Sequence, residues 1–114
     1  MSELLNKTLV NSNELETLLK QRAEGEVDFL LIDVREQMEY DNGHIKGVDM
    51  LKPTSIFQSW ASEFLDKYQD RTIIFTCRTG ARSGNIQRVF QQNGMKNIIN
   101  HLGGIVSYQG EIER

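Results

Sequence analysis

Apolar and polar positions along the chain alternate between two periods. Thr8–Val10 reads as a short strand, and Asn11 and Asn13 each have a glutamate three residues on, Glu14 and Glu16. That spacing suits a helix N-cap, and Leu15, Leu18 and Leu19 then share one helical face. Residues 28–34, DFLLIDV, form a continuous apolar run closed by charge, the pattern of a strand buried on both faces. The stretch REQMEYDNGHIKGV predicts a charged helical turn closed at Asn42-Gly43, then a short strand over Val48–Leu51. Phe57, Trp60, Ala61, Phe64 and Tyr68 recur at helical steps. Residues 72–77 predict another buried strand. Ile86, Val89 and Phe90 mark the inward face of the next helix, which Gly94 ends. Ile98 and Ile99 predict a last strand, followed by a Gly-Gly turn and a short helix or coil. Strands alternating with helices imply an α/β domain with a mainly parallel sheet. Sites in such sheets lie at the carboxyl ends of strands. Cys77 is at one.

Composition narrows the chemistry. The 114 residues fit one domain, 1–114, without repeats or a linker. A net charge of −3 argues against nucleic acid as a partner, so any anion site must be local. One cysteine excludes an intramolecular disulfide, and with only two histidines there is no ligand set for a zinc site; no metal or cofactor is expected. No run approaches the roughly 20 apolar residues of a membrane span. The N-terminus lacks a signal-like apolar stretch. A cytoplasmic location is the expectation.

The lone thiol stands between a strand and a helix in Cys-Arg-Thr-Gly-Ala-Arg-Ser, residues 77–83. A helix start carries unpaired N–H groups and partial positive charge. A loop folded over the sulfur can add an anion-binding nest, and Gly80 tolerates the positive φ such a loop needs. Arg78 and Arg82 add permanent positive charge. Reactive thiols occupy such settings, whereas a cysteine serving as a small hydrophobe needs no arginines beside it. A phosphatase loop of the Cys-x5-Arg type would place arginine at residue 83, where this chain has serine. A cysteine protease needs a partnered imidazole, and neither His44 nor His101 has that context; a redox switch needs a resolving cysteine. Transfer of a sulfur atom, for which one cysteine suffices, remains.

Three segments resemble the rhodanese family of thiosulfate-type sulfurtransferases. Leu30–Val48, LLIDVREQMEYDNGHIKGV, is similar to its Asp-x-Arg…Glu-Tyr…Gly-His-Ile-x-Gly signature. Cys77–Ser83 resembles the six-residue active loop of its sulfurtransferase branch, and Leu102–Gly104 the start of its closing motif. The resemblance implies a three-layer α/β/α fold with a five-stranded, mainly parallel sheet. It implies that Cys77 is the nucleophile that forms a persulfide, cradled by the amides of Arg78, Thr79, Gly80, Ala81, Arg82 and Ser83. Arg78 and Arg82 would attract an anionic donor: thiosulfate, polysulfide or a protein persulfide. A thiol, cyanide or a protein would accept the sulfur. Two segments depart from the pattern. The closing motif commonly runs on to Trp and Gly-x-Pro where this chain has Tyr108 and Gly110, and Val48 stands for alanine. A rhodanese-fold binding or sulfur-carrier module with little turnover is the alternative.

Asp33, Arg35, Glu39 and His44 look like an acid–base set, but buried charges must satisfy one another. They are therefore expected to be structural or pocket-shaping. His101 is read as a surface or core residue, Trp60 and Phe64 as core, and Lys46, Lys52 and Lys96 as solvated charges. Met38 and Met50 suit either the core or a pocket lip.

Overall fold

In the computed structural model, which describes residues 3–114, strands form where the apolar runs lie and helices where the apolar spacing turns to three and four. The elements are β1 (Leu9–Val10), α1 (Ser12–Ala23), β2 (Leu30–Asp33), α2 (Gln37–Asn42), β3 (His44–Ile45), β4 (Met50–Leu51), α3 (Phe57–Tyr68), β5 (Ile73–Thr76), α4 (Ala81–Gln92), β6 (Ile98–His101) and β7 (Ile112–Glu113). Single 3₁₀ turns lie at Glu3–Asn6, Thr54–Ile56 and Ile105–Ser107. Five strands make one all-parallel sheet in the order β1-β6-β5-β2-β4, as expected.

A parallel sheet needs cover on both faces, and the strands supply it by alternation. Ile32, Ile73, Phe75 and Ile98 face Trp60, Phe64, Ile86 and Phe90 of α3 and α4. Leu31, Ile74 and Ile99 face Leu15 and Leu18 of α1. Each such side chain contributes about 1.5–3 kcal/mol through burial, so these two layers hold the sheet between them. Of the two candidate caps, Asn11 is the one used. Its side-chain Oδ1 accepts the Glu14 N–H at 2.8 Å, and the Glu14 carboxylate accepts the Asn11 N–H at 2.9 Å.

Two expectations are corrected. Val89 is 38% exposed, because the inward stripe of α4 runs through Ser83, Ile86, Gln87 and Phe90 and leaves residue 89 on its flank. Gln87 earns no place in an apolar stripe by hydrophobicity; its amide donates to the Thr8 and Ile98 carbonyls at 2.7 and 3.0 Å. The antiparallel ribbon of β3 and β7, pairing His44 with Glu113 and Ile45 with Ile112, was not anticipated. Its two strands pair across 69 and 67 residues of chain and lie beside charged neighbours, Lys46 and Glu111, so no local apolar run marks them.

Topology places the site. From β2 the chain moves outward to β4, then α3 returns it to β5, from which it moves the other way to β6. The connections after β2 and β5 therefore diverge at neighbouring strand ends. Such a reversal leaves a crevice at the carboxyl edge of the sheet. Cys77 follows β5 directly at this edge.

Candidate active site

The chain leaves β5 at Thr76 and must reverse before α4 begins at Ala81. Gly80 makes the reversal at φ 100°, ψ −7°, a left-handed conformation that costs glycine little. The turn brings three donors onto one sulfur. Gly80 N–H donates to Cys77 Sγ at 3.1 Å, Ser83 Oγ–H at 3.3 Å and Ser83 N–H at 3.5 Å. Cys77 is only 1% exposed. Burial pushes its thiol up, but the hydrogen bonds from Ser83, Gly80 and Thr79 more than offset this, so the thiol titrates below its usual value. Of the loop amides, those of Thr79, Gly80 and Ser83 contribute to that lowering. Ser83→Ala removes one of the donors. It is expected to raise the thiol pKa and slow alkylation by iodoacetamide several-fold at neutral pH, read from the pH profile of the alkylation rate.

Asn100, which the sequence reading passed over, holds this cradle from below. Its Oδ1 accepts from Ser83 Oγ–H at 2.6 Å, so the single hydroxyl proton is divided between Asn100 and the sulfur, and its Nδ2 donates to Gly80 O at 3.1 Å. The available signal was an asparagine inside the otherwise apolar run before His101. Room for it comes from Gly84, where a Cβ would stand 3.2 Å from Asn100 Nδ2.

The segment after β6 staples the loop from the other side. Ile105 N–H donates to Cys77 O at 2.9 Å and Val106 N–H to Arg78 O at 3.1 Å. His101 is fully buried and joins three elements. One ring nitrogen lies 2.8 Å from Thr76 Oγ1 and the other 2.8 Å from Ser12 Oγ, which in turn lies 2.6 Å from Ser107 Oγ. Burial lowers its pKa to about 4, so the ring is neutral at pH 7. His101 is thus a core residue.

The acidic and basic set does not form one network. Arg35 lies along Asp33, with Nη2 2.8 Å from Oδ2 and Nε 3.1 Å from each oxygen, and the pair is almost wholly buried. Arg35 Nη2 also donates to Gly43 O at 2.7 Å, tying β2 to the end of α2. Glu39 instead turns to the cysteine loop. Its two oxygens accept Arg82 Nη1 and Nη2 at 2.8 and 2.9 Å. The Arg82 hydrogen bond, opposed by partial burial and assisted by the Glu36 N–H, lowers the Glu39 pKa to about 2. His44 leaves the set altogether: it stacks on Tyr40 at 3.8 Å, with Nδ1 3.1 Å from Tyr40 O. Between side chains the expected mutual satisfaction therefore holds for Asp33 and Arg35 alone; Arg35 Nη1 reaches Glu39 only at its backbone carbonyl, at 3.4 Å. The reason is geometric. Glu39 lies one turn into α2, at the third position of a capping box with Glu36, and from there it spans the crevice. Arg78 and Thr79 are exposed at the outer side of the loop, as is Ala81.

Ser83 occupies the place where a phosphatase-type loop would carry its clamping arginine, and it is buried against Sγ and Asn100. Among the described residues no group of three or more His, Cys, Asp or Glu is arranged to hold a metal ion. No helix among them is long and apolar enough to cross a membrane.

A five-stranded parallel sheet with a cysteine loop leading into a helix at its carboxyl edge defines a class, and comparison with known proteins names it. Residues 14–111 match the family model of the Rhodanese-like domain. The chain belongs to the rhodanese-like family, whose members include proteins named as sulfurtransferases. It is 34% identical over 93 residues to YtwF of Bacillus subtilis, named as a sulfurtransferase, covering 82% of this chain and 85% of that protein. It is 30% identical over 94 residues to YrkF of the same organism, named as a sulfur carrier protein, covering 82% of this chain and 49% of YrkF. MoeZ of Mycobacterium tuberculosis, named as an adenylyltransferase/sulfurtransferase, is 36% identical over 84 residues, 73% of this chain but only 21% of MoeZ. Among solved structures, the Rhodanese-like domain protein from Staphylococcus aureus matches with a TM-score of 0.74 at 20% identity, covering 94% of this chain and 97% of that one. At that identity the likeness concerns the fold alone.

Proposed function

We propose that this protein is a sulfurtransferase that carries sulfane sulfur as a persulfide on Cys77. The observation that carries this reading is the convergence of Gly80 N–H, Ser83 N–H and Ser83 Oγ–H on one sulfur whose pKa is lowered. Those donors stabilise a thiolate before reaction and the terminal charge of a persulfide after it, and groups fixed in advance lose nothing to reorganisation. With thiosulfate as donor, the thiolate attacks the outer sulfur. The new bond is Cys77 S–S, the bond that breaks is the donor S–S bond, and sulfite leaves with its electron pair. In the second step an acceptor, cyanide in the simplest case, takes the outer sulfur and releases thiocyanate and the thiolate. No electrons are gained or lost overall.

Arg78, Thr79, Gly80, Ala81, Arg82 and Ser83 form the donor-binding loop in this reading; Glu39 supports it through Arg82, and Asp33 and Arg35 fix the end of the helix that carries Glu39. Thiosulfate, polysulfide or a protein persulfide would supply the sulfur, and a thiol or protein would receive it. The test is the intact mass of the protein after incubation with thiosulfate or polysulfide, and again after cyanide. The expected result is a gain of one sulfur atom that cyanide removes and that is absent in Cys77→Ser. A cyanide-labile gain without sustained turnover of donor to thiocyanate would favour a sulfur carrier, the description borne by YrkF. No gain from either donor would leave a binding module.

A further inference from the structure

The charges around the cysteine loop nearly cancel. Arg78 is exposed at the loop, while Arg82 is held through both terminal nitrogens by Glu39 at 2.8 and 2.9 Å. Glu36 also acts electrostatically on Arg82, although its carboxylate accepts the Ser55 N–H at 3.1 Å and Ser55 Oγ–H at 2.5 Å. The two guanidinium charges of the loop are thus set against Glu39 in contact, Glu36 at longer range and the ionised sulfur. An arginine fork matches an oxyanion only with its parallel N–H groups free. In Arg82 the pair formed by Nη1 and Nη2 is already engaged by a carboxylate. Glu39 remains ionised down to pH values near 2, so neutral conditions do not release it.

A thiosulfate dianion approaching Cys77 therefore finds the loop N–H groups but no net positive side-chain charge, and must compete with Glu39 for the Nη1 and Nη2 face of Arg82. A hydropersulfide, R–S–SH, carries no more than one charge at its reacting end and needs no oxyanion clamp. Resting on the sulfurtransferase reading above, we infer that Glu39 is a specificity-determining residue: by holding Arg82 it biases donor choice toward hydropersulfides and away from thiosulfate. The favoured step balances simply. The Cys77 thiolate attacks the outer sulfur of R–S–SH, the donor S–S bond breaks, R–S⁻ leaves with the electron pair, and the proton stays on the transferred sulfur. Glu39 touches none of the reacting atoms in this scheme and acts only through Arg82.

Glu39→Gln keeps the size of the side chain, and glutamine is accepted at the third position of a capping box. Glu39→Asp keeps the charge and shortens the reach. Each variant and the wild type would be assayed with thiosulfate and with 2-hydroxyethyl persulfide, using cyanide as acceptor. Glu39→Gln is expected to raise the ratio of kcat/KM for thiosulfate to that for the persulfide by about tenfold, the lower end of electrostatic effects on charged substrates. Glu39→Asp is expected to keep the wild-type ratio. The gain should shrink as salt screens the freed charge. An unchanged ratio in Glu39→Gln, or an equal rise in Glu39→Asp, overturns the inference. A measurement on the wild type needs no variant to fold: thiosulfate turnover is expected to stay level or rise with ionic strength. A steep fall would mean that a net positive site steers the dianion, and the inference would fail. Wild-type protein that takes sulfur from neither donor would instead overturn the sulfurtransferase reading itself.

Discussion

Gly104→Ala is expected to lower the stability of the fold by about 3 kcal/mol or more and to disorganise the cysteine loop with it. Gly104 has φ 61° and ψ −166°, a backbone region occupied essentially by glycine alone and costing other residues about 1–3 kcal/mol. Space is shorter still. A Cβ there would lie 2.3 Å from Arg78 O and 2.6 Å from Cys77 O. These are backbone atoms of the loop itself, and the same two carbonyls accept the N–H groups of Val106 and Ile105. Relief therefore means moving the loop or breaking hydrogen bonds worth about 1 kcal/mol each. Against a typical total of about 5–15 kcal/mol, that is a large fraction. Urea unfolding measures the first effect, and the pH profile of thiol alkylation the second, with the midpoint expected to rise as the donors leave the sulfur. Gly94→Ala is the matching control. It also sits at positive φ, 94°, but a Cβ there meets nothing within 4 Å. Its cost should be limited to the left-handed backbone, about 1–2 kcal/mol, with the thiol unaffected. Equal effects of the two substitutions would sink the assignment of Gly104 as the contact that seats the loop.

Stability is expected to fall steeply as pH drops from 6.5 to about 4, and His101 is the cause. Its pKa is about 4 in the fold against an ordinary 6.5. Between those values the unfolded chain binds a proton that the native state refuses. Lowering the pH through this window therefore favours unfolding, by up to about 1.4 kcal/mol per pH unit and on the order of 3 kcal/mol in all. Above pH 6.5 both states are neutral at this ring and the contribution is complete. Below about 4 both are protonated and no further loss comes from it. Glu39 then takes over with the opposite chemistry: its depressed pKa, about 2, stabilises the fold above 4.5 and is lost as pH falls through 2. His101→Asn should flatten the slope between pH 6.5 and 4 while lowering stability at pH 7, since Thr76 and Ser12 lose ring partners. Chemical denaturation at half-unit pH steps gives the test. A slope unchanged in His101→Asn would assign the pH dependence to other groups.

The legible part of this protein followed from periodicity. The runs around Leu31 and Ile74 could only be buried strands, and Leu15, Leu18, Trp60 and Phe64 could only be the inward faces of helices. Cys77 was conspicuous because its neighbours in sequence are also its neighbours in space. Gly80 and Ser83 reach the sulfur from within the same short loop. Other parts of the site were not legible because their partners are far apart along the chain. Asn100 supports Ser83 across a separation of 17 residues, and His101 meets Ser12 across 89. The acidic set was read as one cluster because its members are adjacent in sequence. Yet Glu39 finds its partner 43 residues away.

Local order alone therefore determined the α/β alternation, the buried strands and a cysteine at a strand end ringed by its own loop, because each depends on spacing within a few residues. The tertiary structure decided which groups touch that cysteine from outside its loop, and what the charge around it amounts to. Register between β5 and β6 sets Asn100 beside Phe75, within reach of the loop that follows β5. The divergence of the β2 and β5 connections sets Glu39 across from Arg82. Hydrogen bonds and ion pairs act over about 3 Å, and only the folded chain brings such distant residues that close.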